Sequence, residues 1–163
     1  MVRLVPMSET EFRTWREDSI ERYAQENVQA GHWDPADALE LSERAFHELL
    51  PDRLSSKNQY LLSIEDEERG TKVGVIWFGV RDQGLGRSAF VYDFLVFEEF
   101  RQLGYGSQAL RALEEKAKEL GLDTISLQVF GHNRAAIRLY EKAGYVTTHI
   151  MMYKSLNAQS GSH

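Results

Sequence analysis

An apolar stretch, a glycine-rich turn and an amphipathic stretch follow one another in this chain and constrain its fold more than any other feature. Residues 89–97 are apolar on both alternating faces, which is typical of a strand inside a sheet. The turn reads Arg101-Gln102-Leu103-Gly104-Tyr105-Gly106. Apolar residues then recur at helical spacing from 105 to 120. The chain therefore places a turn with two glycines between a buried strand and a helix.

This turn has the features of an anion-binding site. The first turn of a helix carries unpaired backbone N–H groups and a partial positive charge. A glycine lowers the stability of a helix by about 1 kcal/mol relative to alanine. Two glycines at the start of a helix therefore indicate a specific role for them. Without side chains, they let a phosphate approach the backbone closely. We interpret the turn as a pyrophosphate site, with a turn that binds no ligand as the alternative.

The remaining patterns predict the order strand, two helices, three strands, helix, strand, helix and strand. Strands are expected at 3–5, 60–64, 72–80, 89–97, 124–130 and 145–156. Helices are expected at about 8–27, 35–50, 105–120 and 133–143. Ser8 and Glu11 match a capping box at the first helix. Asp34 and Pro35 match the N-cap and first position of the second helix.

The connections between these elements decide how the strands pair. Short turns at 65–70 and 81–88 make the strands at 60–64, 72–80 and 89–97 antiparallel. The helix at 105–120 forms a right-handed crossover, so the strands that flank it are parallel. The predicted fold class is α/β, or α+β: a mixed, mostly antiparallel sheet with helices on both faces and a central parallel strand pair.

Length, charge and the lack of cysteine narrow the class of protein. The chain has 163 residues, no cysteine and a formal charge of −6. The length predicts a single domain over residues 1–156, and the small polar tail at 157–163 is expected to be disordered. The negative charge disfavours nucleic-acid binding, and no apolar stretch approaches the roughly 18 residues of a membrane span. The N-terminus shows no signal-peptide pattern, so we expect a cytoplasmic protein without nucleic-acid or membrane partners.

A second motif lies at residues 127–145. It reads LQVFGHNRAAIRLYEKAGY and follows a predicted strand, as the glycine turn does. From about residue 92 to residue 145, the two motifs together resemble the GNAT superfamily of acyl-CoA-dependent N-acyltransferases. The resemblance implies an enzyme that uses acetyl-CoA as cosubstrate, without a metal, to acetylate a small-molecule or peptide amine.

The resemblance also implies where acetyl-CoA binds. The strand before the glycine turn is expected to splay from its neighbour and to pair with the pantetheine arm through Phe94, Leu95 and Val96. The turn amides are expected to hold the pyrophosphate, and the side chain of Arg101 or Gln102 adds contacts. These amides belong to Gln102, Leu103, Gly104, Tyr105, Gly106 and Ser107.

Asn133 and Tyr140 lie two helical turns apart and share one face of the last predicted helix. The resemblance implies that Asn133 hydrogen-bonds the pantetheine arm and that Tyr140 protonates the departing thiolate. Each residue also has a structural interpretation. Asn133 suits the N-cap of this helix, and Tyr140 suits a position in the core.

The sequence does not identify the group that accepts the proton of the attacking amine. One branch of the superfamily has a glutamate five residues before the asparagine, where this chain has Gln128, which cannot act as a base. Asp93 is the only charged residue in the strand at 89–97. It is the favoured candidate for the base, and a structural carboxylate paired with an arginine is the alternative. His132 and a water relay are the other candidates.

Specificity for the acceptor is expected to depend on the two N-terminal helices and the last strand. Tyr23 and Trp33 are candidates for contacting the acceptor, with filling of the core as the alternative, and Glu26 is placed to attract an amine. After Gly144 only residues 145–156 remain before the tail, enough for one long strand or two very short ones. The acceptor side is therefore open, or a homodimer completes it.

Two functions are compatible with these features. The first is direct transfer of acetyl to a primary amine, because a chain without cysteine cannot form an acetyl-cysteine intermediate. The second, suggested by Gln128, is a non-catalytic acetyl-CoA or CoA-binding regulatory or partner-binding module on the same fold. A Rossmann-type domain is disfavoured because the turn lacks the Gly-x-Gly-x-x-Gly spacing.

Overall fold

The computed structural model describes residues 1–83 and 86–157, and these contain one mixed sheet. Its strands are β1 Val2–Pro6, β2 Gln59–Asp66, β3 Thr71–Gln83, β4 Gly86–Val96 and β5 Thr124–Leu127. They lie side by side in chain order. Neighbours from β1 to β4 pair antiparallel, and β4 and β5 pair parallel. The predicted mixed sheet with a parallel pair is confirmed, and this pair lies at the β5 side of the described sheet.

Helices cover both faces of this sheet. They are α1 Glu9–Gln29, α2 Ala38–Leu49, α3 Tyr105–Glu119 and α4 Arg134–Lys142. Alternate residues of β3 serve the two faces, since Ile76 and Phe78 pack in the cluster that contains α3, and Val75 and Trp77 pack with α1 and α2. Across the described residues, no helix combines the length and apolar character that a membrane span requires.

The ends of the N-terminal helices show one prediction confirmed and one corrected. Ser8 Oγ accepts from the Glu11 amide at 3.1 Å, and Glu11 Oε1 accepts from the Ser8 amide at 2.8 Å, which forms the predicted capping box. The second helix was expected to begin at Pro35, but α2 begins at Ala38. The reason is local, because Asp34 Oδ1 accepts from the Ala36 amide at 2.9 Å and closes a turn ahead of the helix.

A β-bulge in β4 explains why the parallel pair is short. Opposite β3, Asp93 pairs with Trp77 and Val91 pairs with Phe78, so Tyr92 is the additional residue. A bulge bends its strand and increases its twist. Val91 is also the last residue of β4 that pairs with β5. The strands therefore separate at the bulge, and residues 93–96 of β4 pair with β3 alone.

Several predicted boundaries and one predicted strand are wrong. The turn expected at 81–88 is shorter, because β3 and β4 extend to Gln83 and Gly86; its tip, including Gly84, lies outside the described residues. The strand expected at 124–130 ends at Leu127, since residues 128–133 form the turn before α4. Residues 145–157 form no strand, although 145–156 were expected to. The short β5 offers them little edge, and residues 158–163 of the expected disordered tail are outside the described residues.

Candidate active site

The last residues of β4 border a gap in the pairing of the sheet, where β5 no longer lies beside them as a paired strand. Phe94, Leu95 and Val96 pair with β3 on one side, and no residue of β5 pairs with them on the other. A strand that has lost a neighbour presents alternate N–H and C=O groups to whatever fills the gap. The three predicted cofactor contacts thus lie on a strand end that a peptide-like chain can pair with.

The glycine turn has a backbone suited to anions. Gln102 and Gly104 have positive φ angles of 62° and 84°. Backbone that alternates in this way directs successive N–H groups towards one side and forms an anion-binding concavity. A Cβ built at Gly104 would have only Gln108 Nε2 near it, at 3.9 Å, so the space above the turn is open. The turn therefore fits the pyrophosphate predicted for it.

The second glycine has a packing role. A Cβ at Gly106 would lie 3.1 Å from Leu139 Cδ2, so the glycine lets the start of α3 approach α4 closely. Tyr105 is turned inward, and its hydroxyl donates to Asp66 Oδ2 at 2.5 Å. This hydrogen bond lowers the pKa of the Asp66 carboxyl and raises the pKa of the Tyr105 phenol. Only backbone atoms of Tyr105 are thus available to a ligand on the turn.

The side chain of Arg101 connects the glycine turn to the end of β4. Its Nε donates to the carbonyl oxygen of Val96 at 3.0 Å, across the short 3-10 helix Glu98–Phe100. The contact fixes the distance between the end of β4 and the glycine turn. Leu103 is exposed at the tip of the turn.

A cleft of about 260 Å³ continues from the turn between α3 and α4. It is lined by Ser107, Leu110, Arg111, Glu114, Lys142 and Ala143. Arg111 and Lys142 give it two cationic side chains. Nearby on α3 and after α4, Gln108 Oε1 and the Tyr145 hydroxyl are buried without a hydrogen-bond partner among the described residues. Buried polar atoms in this state are rare, so a polar ligand in this region is a reasonable partner for them.

Tyr140 of α4 lies next to this gap, close to Phe94 at the end of β4. Its ring centroid is 6.2 Å from that of Phe94 and 5.6 Å from that of Tyr145. Burial raises the pKa of the Tyr140 phenol strongly, and the negative charges of Asp93 and ionised Tyr145 raise it further. The phenol is therefore neutral at physiological pH and retains its proton. The fold brings the predicted residues Phe94 and Tyr140 together.

Asn133 is the N-cap of α4, as one of its two interpretations predicts. Its Oδ1 accepts from the Ala136 amide at 3.2 Å. This bond leaves the amide nitrogen of the side chain without a partner among residues 1–83 and 86–157. The cap and a ligand contact are thus compatible.

Asp93 is held by three residues of α1. Its Oδ2 accepts from Trp15 Nε1 at 2.8 Å and from Ser19 Oγ at 3.4 Å. Arg22 donates to both oxygens, from Nη1 to Oδ1 at 2.8 Å and from Nη2 to Oδ2 at 3.0 Å. The carboxylate thus fastens α1 to β4 one residue after the bulge.

A second carboxylate, that of Glu26, shares this electrostatic environment. Burial raises the pKa of Glu26, the positive charges of Arg22 and His132 oppose the rise, and Asp93 adds to it. His132 stacks on Phe130 with ring centroids 5.4 Å apart, and His32 lies 6.1 Å from the same ring. Glu26 therefore belongs to the group of side chains where α1 meets the loop after β5.

The sequence analysis did not identify Arg22 and Phe130. A signal for Arg22 exists, because Trp15, Ser19, Arg22 and Glu26 are spaced by four, three and four residues. This spacing places the four residues on one face of a helix. A charged residue on such a face is expected to pair with an opposite charge on a neighbouring element. No comparable signal distinguishes Phe130 from a core phenylalanine.

The proposed acceptor residues Tyr23 and Trp33 pack edge to face, with ring centroids 5.4 Å apart. Tyr23 also contacts the ring of Phe46 in α2, at 6.1 Å. The pair therefore borders the α1–α2 core, but Tyr23 is also exposed, with 37% of its surface accessible. Both interpretations of the pair are compatible with this position.

Comparison with known proteins gives one consistent family. The model described as Acetyltransferase (GNAT) family matches residues 14–145. The uncharacterised N-acetyltransferases YycN and YdgE of Bacillus subtilis strain 168 are 39% identical over 155 residues and 37% identical over 153 residues. These alignments cover 95% and 94% of this chain, and 99% and 97% of the relatives. The crystal structure of YycN matches with a TM-score of 0.91 at 38% identity, over 96% of this chain and 99% of that one. The chain thus belongs to the GNAT family and is an N-acetyltransferase.

Proposed function

We propose that the protein transfers acetyl from acetyl-CoA directly to the primary amine of a small-molecule or peptide acceptor. Family membership implies acetyl-CoA use and an amine acceptor. The observation that carries the proposal is the gap beside residues 93–96 of β4, bordered by the glycine turn at one end and by Tyr140 close to Phe94. Acetyl-CoA supplies the activated thioester carbonyl.

The turn and the cleft bind the nucleotide end of acetyl-CoA. Backbone amides from Gln102 to Ser107 donate to the pyrophosphate, and Gly104 leaves room for it. Arg111 and Lys142 attract the remaining phosphate charge in the cleft between α3 and α4. The strand end Phe94, Leu95 and Val96 pairs with the pantetheine arm, and the free amide nitrogen of Asn133 donates to it.

Tyr140 assists the departure of the thiolate. As the amine nitrogen bonds to the carbonyl carbon, the carbon–sulfur bond breaks and the sulfur carries the electron pair away. The neutral phenol donates a hydrogen bond to the sulfur as this charge develops. Because burial raises the pKa of the phenol well above that of a thiol, its contribution is this hydrogen bond; the phenol keeps its proton, and the thiolate takes one from water after it leaves.

Asp93 and Glu26 have different roles in the proposed reaction. Asp93 was the first candidate for the base, but Trp15, Ser19 and Arg22 already donate to its oxygens, and this favours a positioning role. Glu26 carries a carboxylate with a raised pKa in the same group of charges. We propose that Glu26 attracts the acceptor amine and takes the proton that the amine loses.

Calorimetry with acetyl-CoA, followed by a mass-spectrometric screen of amines with labelled acetyl donor, tests the proposal. We expect binding at micromolar concentrations and labelled product with at least one class of amine. Tight binding with no transfer to any amine would favour the non-catalytic CoA-binding module, and absence of binding would contradict both. The single domain at 1–156 and the cytoplasmic location stay predictions.

A further inference from the structure

The guanidinium of Arg81 in β3 is a positive charge on the sheet without an acidic partner. The residue is partly buried, and no side chain among residues 1–83 and 86–157 forms an ion pair with it. Asp82, the next residue, belongs to the opposite face of the strand and pairs with Arg87 at 3.7 Å. Because a charge that loses water without gaining a partner is costly, an anion is expected to bind Arg81.

Two rings of β4 fix the direction of this guanidinium. Its central carbon lies 4.0 Å from the ring centroid of Phe90 and 5.3 Å from that of Tyr92. Arg81 Nη2 donates to the Tyr92 hydroxyl at 2.8 Å, which leaves the other N–H groups of the guanidinium and the proton of the hydroxyl for a ligand. Phe90 belongs to neither core cluster and is partly exposed, so a ligand can reach these donors.

A glycine in the neighbouring strand makes room for this arrangement. A Cβ at Gly79 would lie 3.0 Å from Tyr92 Cε2 and 2.9 Å from Gln59 Oε1. The Tyr92 ring therefore lies across β3, where it stacks on Trp77 with centroids 4.6 Å apart. A glycine inside a strand often marks a close approach of this kind. Packing on both sides thus sets the position of the hydroxyl.

Tyr92 also connects this group of donors to the gap beside β4. It is the additional residue of the bulge, at which β5 separates from β4, and it packs against the cluster that contains α1 and α2. Phe94 and Leu95, which border the gap, follow it by two and three residues, or roughly 7–10 Å of strand. A second group of the acceptor, about that far from an amine in the gap, is therefore within reach of Arg81.

We propose that Arg81 and Tyr92 bind a carboxylate of the acceptor, so that the substrate is an amine with a carboxylate several atoms from its nitrogen. This inference rests on the proposed function. A guanidinium matches a carboxylate through two parallel N–H···O bonds. A phosphate is less suited, because its charge of about −1.5 to −2 exceeds that of one guanidinium in a chain with a net charge of −6.

Acetylation of three matched amines tests the assignment. The compounds 6-aminohexanoate, pentylamine and 5-aminopentyl phosphate share one spacer and differ in the group at its end. We expect the wild-type chain to prefer the carboxylate to the phosphate. Arg81→Gln should lower kcat/KM for 6-aminohexanoate about 10- to 100-fold, mainly through KM, and change that for pentylamine less than about threefold.

Three further variants separate binding of the carboxylate from a structural role. Arg81→Lys retains the charge without the paired donors, so it should restore part of the loss. Tyr92→Phe removes one donor, retains the ring on Trp77, and should lower kcat/KM for 6-aminohexanoate about 3- to 10-fold. Arg87→Gln, near the same end of the sheet but on its opposite face, should have no effect on either amine. Urea unfolding of each variant measures any loss of stability.

Nitrogen NMR of the arginine side chains measures binding without turnover. The protein, labelled with ¹⁵N at arginine Nε and loaded with CoA, is titrated with 6-aminohexanoate and with pentylamine. The signal of Arg81, assigned by its absence in Arg81→Lys, should shift only with the first compound. This shift in a chain that acetylates none of the amines would contradict the proposed function and support the carboxylate site.

Three results would overturn the inference itself. The first is an Arg81 signal that does not respond to 6-aminohexanoate. The second is an equal loss of kcat/KM for 6-aminohexanoate and pentylamine in Arg81→Gln, which would show that the arginine only stabilises the packing of Phe90 and Tyr92. The third is a preference of the wild-type chain for the phosphate over the carboxylate.

Discussion

The guanidinium of Arg22 in α1 holds both carboxylate oxygens of Asp93 in β4, at 2.8 Å and 3.0 Å. The side chain of Asp93 is 12% exposed and that of Arg22 is 32% exposed, so water screens this pair only in part. The pair joins the helix that carries Glu26 to the strand that carries Phe94. Together with the hydrogen bonds from Trp15 and Ser19, this ion pair therefore fixes α1 against β4.

A double-mutant cycle with Arg22→Leu and Asp93→Asn should give a coupling free energy of about 1–3 kcal/mol in urea unfolding. The coupling free energy of a partly buried, bidentate ion pair is larger than that of an exposed pair, because removal of one partner leaves the other charge poorly solvated. The matched control is the exposed pair of Arg44 and Glu40, for which about 0.5 kcal/mol or less is expected. Equal coupling in the two cycles would show that Asp93 does not fasten the helix to the strand.

The sequence predicts best those features that depend on residues close together in the chain. Ser8 and Glu11 satisfy each other's backbone within one helical turn, and Asn133 Oδ1 caps α4 by accepting from the Ala136 amide. The bulge at Tyr92 has no local signal, because no glycine marks it and its register is set by pairing with β3. The strand pattern at 145–156 is equally clear in the sequence, yet these residues form no strand, because a strand also needs a neighbouring edge and the local sequence does not specify one.

Glu26→Gln should remove an acidic limb from the pH profile of kcat/KM. The base must be deprotonated to act, so activity rises as the pH passes the raised pKa of Glu26. The acceptor amine also titrates, but its effect is the same for both proteins. Dividing the wild-type rate by the variant rate at each pH therefore removes it. Glu21→Gln, an exposed position on the same helix, is the control. If Asp93→Asn removes the limb and Glu26→Gln does not, the base is Asp93.

The same substitution should stabilise the fold at neutral pH. A carboxyl whose folded pKa lies above its ordinary value of 4.5 favours the folded state only when protonated, so its ionisation costs stability. The unfolding free energy of Glu26→Gln should therefore exceed that of wild type at pH 7. The difference should shrink as the pH falls through the raised pKa and towards 4.5. A variant that is less stable than wild type at pH 7 would contradict the raised pKa.

Tyr140→Phe should lower kcat about 10- to 100-fold and change the affinity for acetyl-CoA less than about twofold. The phenylalanine retains the ring contact with Phe94 and loses only the hydrogen-bond donor to the sulfur. Steady-state kinetics and calorimetry measure the two quantities. Tyr60→Phe, in β2 and stacked on Phe78, tests the loss of a hydroxyl elsewhere and should leave both unchanged. Parallel losses of turnover and affinity in Tyr140→Phe would indicate a structural role.

Gly104→Ala and Gly121→Ala separate backbone strain from loss of the phosphate site. The two glycines have positive φ angles of 84° and 72°, before and after α3, and a Cβ at either would lie no closer than 3.9 Å to a neighbouring side chain or backbone atom. Alanine should therefore cost each variant a similar amount of stability, about 1 kcal/mol. Only Gly104→Ala should weaken acetyl-CoA binding, and Gly104→Asp should abolish it through steric and charge conflict with the pyrophosphate. Calorimetry that finds equal affinities for the two alanine variants would remove the glycine turn from the binding site.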